Sequence, residues 1–181
     1  MGPLSLLGIC GSTRAKSLNR ALLRATGEML PAGATLTLAP ELDYPIFNND
    51  REDPEGIVAL KAQIRDADGV IFAVPEYNYS ITGALKNALD WISRPPHLSP
   101  LRQKPTGLVG AAAGMSGTIR AQLHMREMLL YGDTPCLSQP EVLIPRAHER
   151  FTDGELHDAS TRTLLEKFGV AFVAFVARYR A

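Results

Sequence analysis

The sequence predicts an α/β fold with one parallel sheet of five strands in the doubly wound order 2-1-3-4-5 and helices on both faces. Three observations carry the prediction. Short apolar runs alternate with segments at helical spacing five times along the chain. Two of those runs, Val70 to Val74 and Thr106 to Ala112, are almost continuously apolar, as strands buried on both faces must be. The length of 181 residues suits one domain, taken as residues 1–181. In that strand order the ligand is expected at the carboxyl ends of strands 1 and 3, where the chain reverses its direction of winding.

The elements follow in order. Leu4 to Cys10 reads as the first strand, and Leu18, Leu22, Leu23, Met29 and Leu30 fall near helical spacing after it. Pro31-Ala32-Gly33 stops that helix. Thr35 to Ala39 is the second strand, followed by a polar loop from Pro40 to Pro54 with Tyr44 and Phe47 in it. Those aromatics suit either a pocket wall or a loop folded onto the core. Glu55 to Ala67 reads as a helix on Ile57, Leu60 and Ile64, and Val70 to Val74 as the central strand. Leu85, Ala88, Leu89 and Ile92 carry the next helix, Thr106 to Ala112 the fourth strand, and Gly114-Met115-Ser116-Gly117 opens a helix bearing Ile119, Leu123, Met128 and Leu129. Glu141 to Ile144 is the fifth strand. The last helix runs from about Glu155 to Arg180, with Leu164, Phe168, Phe172, Phe175 and Tyr179 at helical spacing.

Composition excludes several classes. Lys plus Arg and Asp plus Glu number 19 each, so there is no basic excess for nucleic acid and no acidic excess for a charge-steered carrier. The longest apolar run, Val170 to Ala177, is too short to insert into a membrane, and the N-terminal residues do not read as a signal peptide. Cys10 and Cys136 have no metal or redox spacing and are expected to be reduced and buried, in a cytoplasmic protein. The four histidines show no ligand spacing, and no carboxylate cluster suggests a metal. His124, alone on a helix, is expected to be structural.

The chemistry sits in three loops. Gly11-Ser12-Thr13-Arg14-Ala15-Lys16-Ser17-Leu18-Asn19 joins the first strand to the first helix. Its hydroxyls, amide and cations, with the free N–H groups and positive dipole end of the helix, suit a phosphate. A plain capped turn with Ser17 as N-cap accounts for the same residues. Pro75-Glu76-Tyr77-Asn78-Tyr79-Ser80, after the third strand, suits a flat heteroaromatic with polar edges. Gly110 to Gly117, after the fourth, is made of small residues that let a ligand approach the backbone. Neither a G-x-G-x-x-G fingerprint nor a Walker lysine is present, so the chemistry is expected to be a cofactor's.

Gly11-Ser12-x-Arg14-x-x-Ser17-x-Asn19, with Pro75-Glu76-Tyr77-Asn78-Tyr79-Ser80 and Gly83-x-Leu85-Lys86-Asn87-x-x-Asp90-Trp91, resembles the NAD(P)H-dependent FMN reductase family, nearest its bacterial chromate and quinone reductases. The resemblance spans nearly the whole chain. It implies a flavodoxin-like three-layer sandwich that binds FMN. It implies contacts to the FMN phosphate from Ser12, Arg14, Ser17, Leu18 and Asn19. It implies contacts to the isoalloxazine and ribityl from Pro75, Glu76, Tyr77 and Asn78. Gly114, Gly117 and Arg120 match the family's third loop. The chain departs from the pattern at Ala112, where a hydroxyl is frequent, and at Thr118, where a second glycine is frequent. It also departs at Thr82, where proline is frequent, and at Asn48-Asn49, where an acidic pattern is common, which implies a different substrate preference.

The expected function is therefore an NAD(P)H-dependent FMN oxidoreductase. Its small-molecule electron acceptors would be quinones, chromate, azo compounds or free flavin, and it would assemble as a homodimer or homotetramer. No side chain is assigned as a general acid or base. A flavodoxin-type carrier and a flavin-free NAD enzyme are the alternatives; the balanced charge and the missing fingerprint count against them.

Overall fold

The computed structural model describes residues 2–180. Five parallel strands, β1 (Leu4–Cys10), β2 (Ala34–Leu38), β3 (Gly69–Ala73), β4 (Thr106–Ala111) and β5 (Val142–Ile144), form a sheet in the order β2-β1-β3-β4-β5. The order matches the expectation. In the register, Leu6 on β1 lies opposite Leu36 on β2 and Gly69 on β3.

Side chains alternate across the sheet, so each strand feeds two cores. Leu4, Leu6, Ile71 and Val109 face one layer, built by α1 (Leu18–Glu28) and α5 (Ala159–Ala177). Leu7, Ile9, Val70, Phe72 and Leu108 face the other, built by α2 (Glu55–Asp66), α3 (Gly83–Ile92) and α4 (Ile119–Tyr131). This is the three-layer sandwich that the continuous apolar runs require. On α5 the rings of Phe168 and Phe172 are buried and stack 5.7 Å apart over the start of β3 and β4.

Two expectations are corrected. The fourth helix begins at Ile119, not near Gly114, because Gly117 (φ 58°) and Thr118 (φ 72°) both have left-handed backbone that no α-helix accommodates. Its buried positions are Ala121, Gln122, Met125 and Leu129, while Ile119 and Leu123 face outward. The last helix begins at Ala159, not Glu155. Before it lies a small hairpin, β6 (Phe151–Thr152) with β7 (Glu155–Leu156), turning at Asp153-Gly154 with positive φ at both residues.

Asp158 closes that hairpin onto α5. Its Oδ2 accepts from Thr161 N (2.7 Å), Thr161 Oγ1 (2.6 Å), Ser160 Oγ (2.6 Å) and Arg150 Nη1 (2.7 Å). The hydroxyls of Ser160 and Thr161, ahead of the other donors, hold the carboxyl far below its ordinary value of 3.8. A depressed folded-state value contributes stability that is complete above the unfolded value and is lost as pH falls below it. Asp158→Ala is expected to cost about 1 kcal/mol at neutral pH, the usual worth of an N-cap. The difference from the parent should shrink as urea titrations move from pH 6 to pH 3; a difference independent of pH would contradict this.

Candidate active site

The first, third and fourth strands deliver three loops to one edge of the sheet, at the switch between β1 and β3. The loop after β1 starts with Gly11, whose N–H donates to Ala73 O (2.9 Å) and whose carbonyl accepts from Thr82 Oγ1 (2.6 Å). Thr82 also caps α3 through Leu85 N (3.2 Å). Thus the hydroxyl that replaces the family's frequent proline ties the first loop to the third helix. Ser17 is the N-cap of α1, accepting from Arg20 N at 3.2 Å, and Ser12 Oγ accepts from Arg14 N at 3.3 Å. Both serines are buried, whereas Arg14 and Lys16 are exposed. The first-turn amides of α1 have no intrahelical partner; Ser17 caps that of Arg20, and Leu18 and Asn19, which carry two of the others, line the same space.

Asn19 makes the link that the sequence did not show. Its Nδ2 donates to Ala111 O (2.8 Å) and its Oδ1 accepts from Ala111 N (3.0 Å). The buried amide therefore stitches the first turn of α1 to the last residue of β4, and one Nδ2 hydrogen is left for the cavity.

After β3, Tyr77 and Ser80 exchange backbone hydrogen bonds at 3.0 Å. Asn78 (φ 51°) and Tyr79 (φ 64°) between them make a mirror-image tight turn. An aromatic residue in left-handed backbone is strained, and such strain persists only when the surroundings hold it. Here α4 holds it at three points. Glu76 Oε2 accepts from Arg120 N (3.0 Å) and Ala121 N (3.3 Å), the Arg120 guanidinium lies 4.0 Å from the Tyr79 ring centroid, and His124 Nδ1 pairs with Ser80 Oγ (3.0 Å). Glu76 is thus a helix cap beside the cavity. His124 and Arg120, four residues apart on one face of α4, hold this turn; that spacing was the signal available in the sequence.

After β4 the chain passes beneath Thr118. A β-carbon on Gly110 would come within 1.8 Å of Thr118 Oγ1, so only glycine lets the loop close here. Arg146 N donates to Gly114 O (2.9 Å) and Ala147 N to Ala112 O (2.9 Å), which fixes the small-residue floor.

These loops enclose a cavity of about 330 Å³. Ser12, Arg14, Ser17, Leu18 and Asn19 line one end, Pro75, Glu76 and Tyr77 the other, and Ala111 to Gly114 with Ser116 the floor. Asn78 sits exposed at the tip of its turn, outside this lining. Ser116 and Ala111 were not singled out from the sequence. Cys10 lies beneath the first loop; burial pushes its thiol above the ordinary value, which keeps it protonated and unreactive. Among the described residues no cluster of side chains suits a metal ion. The Pro40 to Pro54 loop does both things its aromatics allowed. Phe47 packs edge-on against Trp91 (5.0 Å between centroids), Asn87 Oδ1 accepts from Phe47 N, and Tyr44 and Phe47 wall a second cavity of about 640 Å³ next to Thr13.

The model of the NADPH-dependent FMN reductase family matches residues 4–149. The chain belongs to this family. It is 41% identical to an NAD(P)H-dependent FMN reductase of Pseudomonas aeruginosa, over 98% of this chain and 97% of that protein. It is 34% identical to a quinone reductase of Escherichia coli, again over 98% of this chain and 97% of that one. Among solved structures it resembles FerB, a flavoenzyme NAD(P)H:(acceptor) oxidoreductase from Paracoccus denitrificans. The TM-score is 0.87, with 31% identity over 97% of this chain and 98% of that one.

The donor set suits the group after which the family is named. Buried hydroxyls at Ser12 and Ser17, an exposed guanidinium at Arg14 and the α1 N-terminus give the cavity donors of the kind that suit an anion. Ala111 to Ala113 and the half-exposed Tyr77 supply apolar and aromatic surface to the same cavity. In the described residues, no helix is long and apolar enough to cross a membrane.

Proposed function

We propose that the protein is an NAD(P)H-dependent FMN oxidoreductase that reduces quinones. The overall reaction is NAD(P)H, a proton and quinone going to NAD(P)⁺ and hydroquinone. The observation that carries this reading is a cavity at the β1/β3 switch that has phosphate donors at one end and an aromatic mouth at the other. In it Ser12, Arg14, Ser17, Leu18 and Asn19 hold the FMN phosphate, and Pro75, Glu76, Tyr77 and Gly114 border the ring and ribityl chain, with Asn78 outside the lining at the tip of the adjoining turn. FMN, when bound, supplies the ring that accepts a hydride from NAD(P)H and reduces the acceptor. The chain's part is to bind, orient and shield. Glu76 is held by the amides of α4, so no side chain is given a proton-transfer role. Chromate, azo compounds and free flavin are further acceptors in this proposal. Residues 1–181 act as one domain, in the cytoplasm.

Assembly as a homodimer or homotetramer belongs to the same reading. Tyr77, Tyr79 and Met115 at the mouth, with Leu123, Leu130 and Tyr131 on α4, are each more than half exposed. A second copy covering these side chains would narrow the mouth.

Both NAD(P)H and a quinone are flat, and both enter by the mouth beside Tyr77. They therefore exclude one another and react in turn. Steady-state series with NADPH and benzoquinone, each varied at several levels of the other, should give parallel double-reciprocal lines; intersecting lines would show a ternary complex and refute the shared mouth. Bleaching of the flavin by NADPH before any acceptor is added distinguishes this enzyme from a flavodoxin-type carrier.

A further inference from the structure

A third cavity, of about 410 Å³, lies between α1 and the tip of the β6–β7 hairpin. It is separate from the site above but shares Ser17 and Leu18 with it, so the two are one side chain apart. Its wall concentrates charge. Lys16, Arg20 and Arg24 line it at intervals of four residues, with His148 facing them from beyond β5 and Asp153 as the one carboxylate in the wall. In a chain with no net charge, three permanent cations around one cavity are a local feature. Lys16 and Arg24 have no ion-pair partner among the described residues, and Asp153 is exposed at the hairpin turn. The Arg24 guanidinium is pressed against the turn, where a β-carbon on Gly154 would meet its Nη2 at 3.1 Å.

Arg20 points to an anionic guest. Its Nη2 approaches Glu41 Oε1 to 3.1 Å without hydrogen-bond geometry, and Nε and Nη2 are buried with no hydrogen-bond partner among the described residues. A guanidinium carries five donors, and leaving them unmet in a dry site is unfavourable. A phosphate oxygen supplies what Arg20 lacks and what Lys16 and Arg24 attract.

We propose that this cavity receives the 2′-phosphate of NADPH, and that the protein therefore prefers NADPH to NADH. The inference rests on the reading of the protein as an NAD(P)H-dependent reductase. The nicotinamide must reach the mouth beside Tyr77, so a separate cationic cavity suits the far, adenosine end of the same molecule. Of the two coenzymes only NADPH carries a phosphomonoester there. A dianion matches the unpaired Lys16 and Arg24 and the unmet donors of Arg20, whose charge Glu41 already faces, better than the diester charges common to both coenzymes do.

The test uses the flavin-loaded protein and the variant Arg24→Gln, which lies outside the FMN cavity and keeps the helix surface polar. The KM for NADPH should rise about tenfold, as expected for loss of one charge-assisted contact, with the values for NADH unchanged. Calorimetry gives a readout that needs no turnover. Adenosine 2′,5′-bisphosphate should bind the parent protein about tenfold tighter than adenosine 5′-monophosphate, and Arg24→Gln should abolish the difference. Equal binding of the two nucleotides, binding of inorganic phosphate as tight as the bisphosphate, or an equal effect of Arg24→Gln on both coenzymes would overturn the assignment. A protein that oxidises neither coenzyme but still prefers the bisphosphate would instead place the failure in the reductase reading.

Discussion

Asn19→Ala is expected to destabilise the fold by about 2–6 kcal/mol. The side chain is buried and bonds both the N–H and the C=O of Ala111. Truncation leaves that donor and that acceptor in a dry site, each at a desolvation cost of about 1–3 kcal/mol. The damage reaches the site because Ala111 is the last residue of β4 and lines the cavity floor, while Asn19 belongs to the first turn of α1. Asn19→Asp separates the two bonds. A carboxylate still accepts from Ala111 N but meets Ala111 O with no donor, so the loss should be about as large and should be partly relieved by acid. Urea unfolding of the flavin-free protein measures both. An Asn19→Ala midpoint within error of the parent would show that the stitch carries no stability.

How much of this was legible in the sequence differs from element to element. The sheet order was, because β1, β3 and β4 are buried on both faces and their apolar runs admit few other arrangements. The β6–β7 hairpin was also written, in Asp153-Gly154, a strong two-residue turn signal. The helical spacing downstream masked it, because Phe168 and Phe172 dominate any window that includes them. The start of α4 was hidden for another reason: Thr118, with left-handed backbone, packs against Gly110, a contact between residues that no local pattern encodes. In the site, residue identity was legible and residue use was not. Asn19 and Glu76 were recognised as important, but the partners that occupy them are 92 and 44 residues away along the chain. His124 was set aside as structural; its bond to Ser80 is structural, yet what it holds is the strained turn at the mouth.

Replacing Ser17 is expected to weaken FMN binding about 10- to 100-fold, and the choice of replacement separates two roles that share one oxygen. Ser17 Oγ accepts from Arg20 N at 3.2 Å, which caps α1, and the hydroxyl, whose only other partner among the described residues is the weak acceptor Cys10 Sγ at 4.0 Å, can turn its hydrogen to an oxygen in the cavity that Ser17 lines. Ser17→Ala removes both. Loss of the cap costs about 1 kcal/mol of stability. Loss of a hydrogen bond to a charged phosphate costs about 1.5–3 kcal/mol of binding, which is the stated range of affinity. Ser17→Gly isolates the second role, because glycine is itself a tolerated N-cap and lowers stability by only a few tenths of a kcal/mol. The two variants should therefore bind FMN equally weakly while differing in their urea midpoints. Fluorescence titration of the flavin-free proteins gives the affinities. If Ser17→Gly binds FMN as tightly as the parent, Ser17 serves the helix alone and the phosphate is held by Ser12, Arg14 and the α1 amides.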